Sequence, residues 1–116
     1  MNTTRSPITT HILDVGLGRP AAGVEVTLAR SEDGAFVDLA HGTTDADGRA
    51  SGLLPAGSLT AGTYRLSFDT GGYFAASKRS SFYPHVEVVF VVVEPDAHHH
   101  VPLLLSPFGY STYRGS

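Results

Sequence analysis

Turn-forming residues interrupt this chain about every ten positions, and the runs between them alternate or are β-branched, the spacing of a β-sandwich or barrel. The first run, residues 8–15, gives way to Gly16, Gly18 and Pro20, with Gly18-Arg19-Pro20 reading as a turn. Residues 24–28 alternate cleanly, so that Val24, Val26 and Leu28 share one face. Residues 35–41 make a weaker strand, and Asp45-Ala46-Asp47-Gly48 a tight turn into a short strand over 49–53. Residues 63–69 alternate again, and Gly71-Gly72 closes them. The one helical stretch is 73–81, about two turns long. Beyond Pro84 come a β-branched strand over 86–93, the breaker Pro95-Asp96, a strand over 99–105, the turn Ser106-Pro107-Phe108-Gly109 and a last strand over 110–114. The expectation is an all-β, two-sheet sandwich of eight strands with one short helix. Residues 8–116 form one domain and residues 1–7 a flexible tail.

A chain that is 41% hydrophobic and 16% charged can bury a core, which excludes wholesale disorder. The formal net charge of -3 comes with no basic stripe for nucleic acid and no polybasic run for a membrane surface. The chain has no cysteine, hence no disulfide or thiolate chemistry. The longest apolar stretch, 86–93, contains Glu87 and is too short to span a bilayer. Residues 1–7 lack the apolar centre of a secretory signal, and Arg114-Gly115-Ser116 matches no retention or lipidation signal. A cytoplasmic protein is expected.

Four features could carry chemistry. In His98-His99-His100, strand alternation puts His98 and His100 on one face and His99 on the other. His-x-His is half of a zinc site, but His11, His41 and His85 are distant in sequence, and a polar strand start near solvent explains the triplet as well. His11 shares a face with Thr9 and Leu13, opposite the apolar Ile8 and Ile12, so it points outward. Alone, an outward histidine is a solvated residue, and Arg49 alone is a surface cation. Asp45-Ala46-Asp47-Gly48 lacks the further ligands of a calcium loop and is better read as a turn. The end of the sequence is the anomaly. Residues 101–116 carry Arg114 and the terminal carboxylate as their only ions, and are crowded with Pro102, Leu103, Leu104, Leu105, Phe108, Tyr110 and Tyr113. Both faces of the last hairpin are apolar or aromatic, so one packs in the sandwich and the other needs a partner chain.

Taken together, these segments resemble the 5-hydroxyisourate hydrolases of the transthyretin-related family. The run from His98 through Val101-Pro102-Leu103-Leu104-Leu105-Ser106-Pro107-Phe108-Gly109-Tyr110 to Tyr113-Arg114-Gly115-Ser116 is similar to one signature, and its last four residues are the most specific. Thr10-His11-Ile12-Leu13-Asp14 with Gly18-Arg19-Pro20-Ala21 resembles a second, and Thr44-Asp45-Ala46-Asp47-Gly48-Arg49 a third. The likeness runs from about Ile8 to Ser116. It departs at His99, where the family commonly has tyrosine. Transthyretin, the hormone carrier, shares the fold, but has lysine in the place of His11 and lacks the Tyr-Arg-Gly-Ser end.

The resemblance implies a transthyretin-like (prealbumin-like) sandwich, a homotetramer built as a dimer of dimers, and strands one, four, seven and eight in one sheet. It implies hydrolysis of 5-hydroxyisourate to 2-oxo-4-hydroxy-4-carboxy-5-ureidoimidazoline in urate catabolism, with no metal or organic cofactor. His11 and His100 would move the protons. Arg49 would hold the anionic ring, and Tyr113 and Ser116 would line the floor, the Ser116 carboxylate acting as a fixed acceptor. His98 and His99 would matter less. The alternatives are a non-enzymatic carrier of small aromatic ligands in the same cleft and a zinc hydrolase using His98 and His100.

Overall fold

A computed structural model describes residues 6–116. Strand β1 (Ile8–Asp14) alternates buried and half-buried along its whole length, as its apolar Ile8 and Ile12 demand. It is the hub of one sheet. It pairs in parallel with β8 (His99–Ser106) and antiparallel with the two-residue strands β2 (Arg19–Pro20) and β5 (Arg49–Ala50). Antiparallel β9 (Gly109–Thr112) extends β8. The second sheet has the order β4 (Ala35–Thr43), β3 (Glu25–Glu32), β6 (Gly62–Phe68), β7 (Val86–Val92), all antiparallel. The core lies between the sheets, where Ile8, Ile12, Leu103 and Leu105 of the first meet Val26, Leu28, Leu66, Phe68 and Val86 of the second. Transferring such side chains from water stabilises a fold by about 1.5–3 kcal/mol each.

The expected grouping of four strands in one sheet is present as β1, β5, β8 and β9, with β2 added. Arg19 and Pro20 were expected within a turn and instead pair with Asp14 and Leu13. The Ala21 amide donates to the Ile12 carbonyl and draws the chain back along β1. The helix α1 spans Thr70–Ala76 rather than 73–81. Asp69 caps it by accepting from the Gly72 amide at 3.0 Å, so the two glycines open the helix instead of closing the strand. Gly71 also donates its N–H to the Pro84 carbonyl, and a β-carbon there would strike that carbonyl. The helix stops early because Lys78 takes a positive φ of 58° and Arg79 turns back, its amide bonded to the Phe74 carbonyl.

That reversal delivers Arg79 to Asp14, the last residue of β1, which is fully buried. Arg79 Nη2 lies 2.6 Å from Asp14 Oδ2, the Tyr73 hydroxyl donates to the same oxygen at 2.7 Å, and the Leu17 amide donates to Oδ1. Burial alone would push the Asp14 carboxyl up. The guanidinium, the phenol and the amide together outweigh it and hold the carboxyl below its ordinary range. The α1 segment, β1 and the β1–β2 turn are thus tied at one point.

Of the tail expected over 1–7, residues 1–5 lie outside the described residues. Ser6 is buried: its hydroxyl donates to the Ile8 carbonyl and accepts from the Leu54 amide. The Pro7 carbonyl accepts from the His99 amide, so the packed structure extends to Ser6.

Candidate active site

Side-chain alternation in β1 and β8 sorts the polar groups before any pocket forms. In β1 the outward residues are Thr9, His11 and Leu13; His98 just before β8, and His100 and Leu104 within it, keep the same phase. The pairings Thr9↔His100 and His11↔Pro102 align β1 with β8, while His11↔Arg49 aligns β1 with β5. Residues opposite one another project on the same side of a sheet. Arg49 and His11 are therefore neighbours on the outer face, and Thr9 and His100 are neighbours one step along it.

The chain reaches Arg49 through a turn with little freedom. Asp45 Oδ1 accepts from the amides of Asp47 at 2.9 Å and Arg49 at 3.0 Å. Gly48 has φ +77°, and its carbonyl accepts from the Ile12 amide at 2.8 Å. Any β-carbon on Gly48 would strike the Ile12 carbonyl oxygen, so both conformation and space require glycine. Among the described residues no ion pair engages the exposed Arg49 guanidinium.

A pocket of about 380 Å³ opens on this face, lined by Thr9, Thr10, Arg49, Ser51, His98, His100 and Ser116. Thr9 Oγ1 stands 2.8 Å from His100 Nδ1 and 3.0 Å from His98 Nε2. The two imidazoles are stacked, with centroids 6.3 Å apart and planes 17° from parallel. The Gly115 amide donates to the His100 carbonyl at 2.8 Å and brings residue 116 to the rim. Gly115 sits so close to His100 that a β-carbon would press on the imidazole.

Arg49, His100 and Ser116 thus share one pocket, and His11 stands beside Arg49 in register without being part of the pocket wall. Tyr113 does not join them. It lines a separate cleft of about 320 Å³ between the edges of the two sheets, with Val89, Val91, Val101 and His99. The placement of His99 follows alternation: it is buried on the inner side, its Nδ1 donating to the Ala97 carbonyl at 2.8 Å. Burial lowers its proton affinity below the ordinary histidine value, more than the Ala97 carbonyl restores it. Thr9 and Ser51 were not singled out from sequence, and His98 only as half of a His-x-His zinc pair. Thr9 and His98 were legible, since each lies two positions from a candidate histidine on the same outward face; Ser51 had no such signal.

Among the described residues, no group of three or more His, Asp or Glu side chains is placed to hold a metal ion. The arrangement offers two kinds of chemistry: imidazoles that exchange protons near neutrality, and a guanidinium fork suited to a planar anion.

The chain matches the model of the HIUase/Transthyretin family over residues 8–115. It is 47% identical over 118 residues to the 5-hydroxyisourate hydrolase of Mus musculus, with 100% of both chains covered. The solved 5-hydroxyisourate hydrolase of Klebsiella pneumoniae is 40% identical, with a TM-score of 0.78 over 94% of this chain and 98% of that one. Sea bream transthyretin in complex with thyroxine is 35% identical, with a TM-score of 0.88 over 95% of each chain. The carrier superposes at least as well as the hydrolase, so fold alone does not separate the two activities. The higher sequence identity lies with the hydrolases.

Proposed function

The chain belongs to the HIUase/transthyretin family and hydrolyses 5-hydroxyisourate, and we propose that the outer face of β1, β5 and β8 is where it opens the ring. The observation that carries this placement is the register His11↔Arg49, combined with a pocket that holds Arg49 and His100 together.

Ring opening adds water to a carbonyl and breaks the adjacent amide bond. It needs a base for the water, a donor for the developing oxyanion and an acid for the departing nitrogen. In our reading one of His11 and His100 takes the water proton and the other protonates the nitrogen, so that no net proton is consumed. The guanidinium of Arg49 grips the anionic ring and meets the charge that grows on the carbonyl oxygen. Ser116, at the rim, closes the floor beside His100. Tyr113 is left to the adjacent cleft rather than to substrate. Imidazole suffices to activate the water, so activity should persist in a strong chelator.

We also propose a homotetramer, a dimer of dimers. Phe108, Tyr110 and Tyr113 are 70%, 42% and 57% exposed in the single chain, and Val89, Val91 and Val93 stand exposed on and just beyond the edge strand β7. So much apolar surface at two sheet edges favours partner copies. Light scattering at micromolar concentration should give about four times 12.2 kDa. α1 is too short to cross a membrane, and a chain without cysteine suits the cytoplasm, where we place the activity.

The test is the absorbance decay of freshly generated 5-hydroxyisourate. The protein should accelerate it well beyond the spontaneous rate, and His11→Ala, Arg49→Ala or His100→Ala should return it towards that rate. A carrier would leave the decay unchanged.

A further inference from the structure

We propose that Thr9 is a positioning residue whose hydroxyl joins His98 and His100 into one hydrogen-bonded relay, holding His100 with its proton on Nδ1 and its lone pair on Nε2. The inference rests on the reading of His100 as the group that takes the proton from water.

A hydroxyl has one proton and two lone pairs. Thr9 Oγ1 lies within hydrogen-bond distance of His100 Nδ1 and His98 Nε2 at once. A neutral imidazole nitrogen either donates to this oxygen or accepts from it, and the oxygen can accept from two donors but donate only once. At least one nitrogen therefore donates: if both do, His100 carries its proton on Nδ1, and if only one does, two arrangements chain the three groups. In the first, His98 Nε2–H donates to Thr9 and Thr9 donates to His100 Nδ1, which forces the His100 proton onto Nε2 and disarms it as a base. In the second, His100 Nδ1–H donates to Thr9 and Thr9 donates to His98 Nε2, which leaves the lone pair of His100 on Nε2.

The second arrangement fits the chemistry without any rearrangement. When Nε2 takes a proton from water, Nδ1–H still donates to Thr9 and Thr9 still donates to His98. The proton is bound at Nε2 and later leaves from the same atom, so the balance closes within the site. The hydroxyl oxygen meanwhile accepts from the imidazolium and steadies its charge. In the first arrangement, His100 could become a base only after its ring proton had moved. The contact is built into the fold: Thr9↔His100 is a register pair of the parallel β1–β8 ladder, and Thr9 is half-buried beside it. Alternation fixes His98 on the same face, so one hydroxyl reaches both rings.

The experiment combines turnover with the tautomer of His100. Long-range proton–nitrogen NMR of the whole protein above pH 7.5 should show His100 protonated on Nδ1 and unprotonated on Nε2. Thr9→Val keeps the strand's β-branched shape but removes the hydroxyl. It should lower kcat about tenfold, the scale of one lost hydrogen bond, with KM nearly unchanged, and shift His100 towards the Nε2–H form. Thr9→Ser should restore both the rate and the tautomer. His100→Ala is the control for the underlying reading: if it keeps full activity, the assignment of the pocket fails whatever Thr9 does. If His100→Ala is inactive but Thr9→Val has the wild-type rate and tautomer, the relay is wrong. A wild-type spectrum with neutral His100 protonated on Nε2 overturns it without any variant.

Discussion

Strand β1 carries two polar centres that differ in almost every respect. At its end, Asp14 points inward, is fully buried, and has its charge met by Arg79, Tyr73 and the Leu17 amide. At its start, Thr9 and His11 point outward, Thr9 into a pocket and His11 beside it, where the Arg49 guanidinium has no carboxylate partner among the described residues. The first centre is electrostatically closed, with a donor for each carboxylate oxygen. The second is left open. A closed centre contributes to stability and offers nothing to a ligand. An open one costs little where water still reaches it and keeps its charge for a substrate. One seven-residue strand serves both ends because alternation faces them to opposite sides.

The sharpest way to break this contrast is to damage each centre and read both activity and stability. His11→Ala, Arg49→Ala and His100→Ala should each cut turnover by about 10²–10⁴-fold, with unfolding in urea little changed. A variant that lost fold and activity together would erase the distinction.

The opposite pattern is expected at the other end. Arg79→Met leaves the Asp14 carboxylate buried without its cation and should cost about 3 kcal/mol of stability, while the folded fraction keeps its turnover. The sign of the pH dependence follows from the lowered carboxyl. In the wild type the contribution of Asp14 is complete above the unfolded carboxylate value near 4. It is lost only as pH falls through the lower folded value. Without Arg79, burial prevails and pushes the carboxyl up, so stability should begin to fall at a higher pH. Urea titrations across the acid range would show the shift, and identical acid profiles would refute it.

Gly48→Ala tests the join between the two regions. It forces a β-carbon onto the Ile12 carbonyl at a positive φ, for about 1–3 kcal/mol, and it also displaces Arg49. Stability and kcat/KM should fall together, unlike either set above. The smallest effect belongs to His99. Burial depresses its proton affinity, so its contribution is present above the ordinary histidine value near 6.5 and is lost as pH falls through the depressed one. His99→Phe should flatten that part of the stability–pH curve and leave turnover intact.

Much of this contrast was legible in the residues. Alternation alone put His11 outward and set His98 and His100 on the face opposite His99, and the Asp-Ala-Asp-Gly turn is legible without its role in holding Arg49. The helix bounds were not legible, because two glycines read as a strand terminator until Asp69 caps them and Pro84 packs against them. Nor was the Asp14–Arg79 pair, whose partners lie 65 residues apart. Tyr113 lines a cleft apart from the pocket that holds Arg49 and His100. Beyond the end of β9 at Thr112 the chain leaves the regular ladder, and the period of two no longer predicts direction.

What the sequence by itself determined is periodic and local: strand runs, the side each residue faces, the turns, and motifs that resemble a hydrolase family. Those properties depend on backbone geometry repeated every two residues, and they need no knowledge of distant partners. The tertiary structure alone decided which strand lies beside which, hence that Arg49 reaches His11, that one hydroxyl touches two imidazoles, and that a buried aspartate finds its arginine. Register and long-range pairing arise from packing two sheets around a common core, a property of the whole chain that no short window of residues contains.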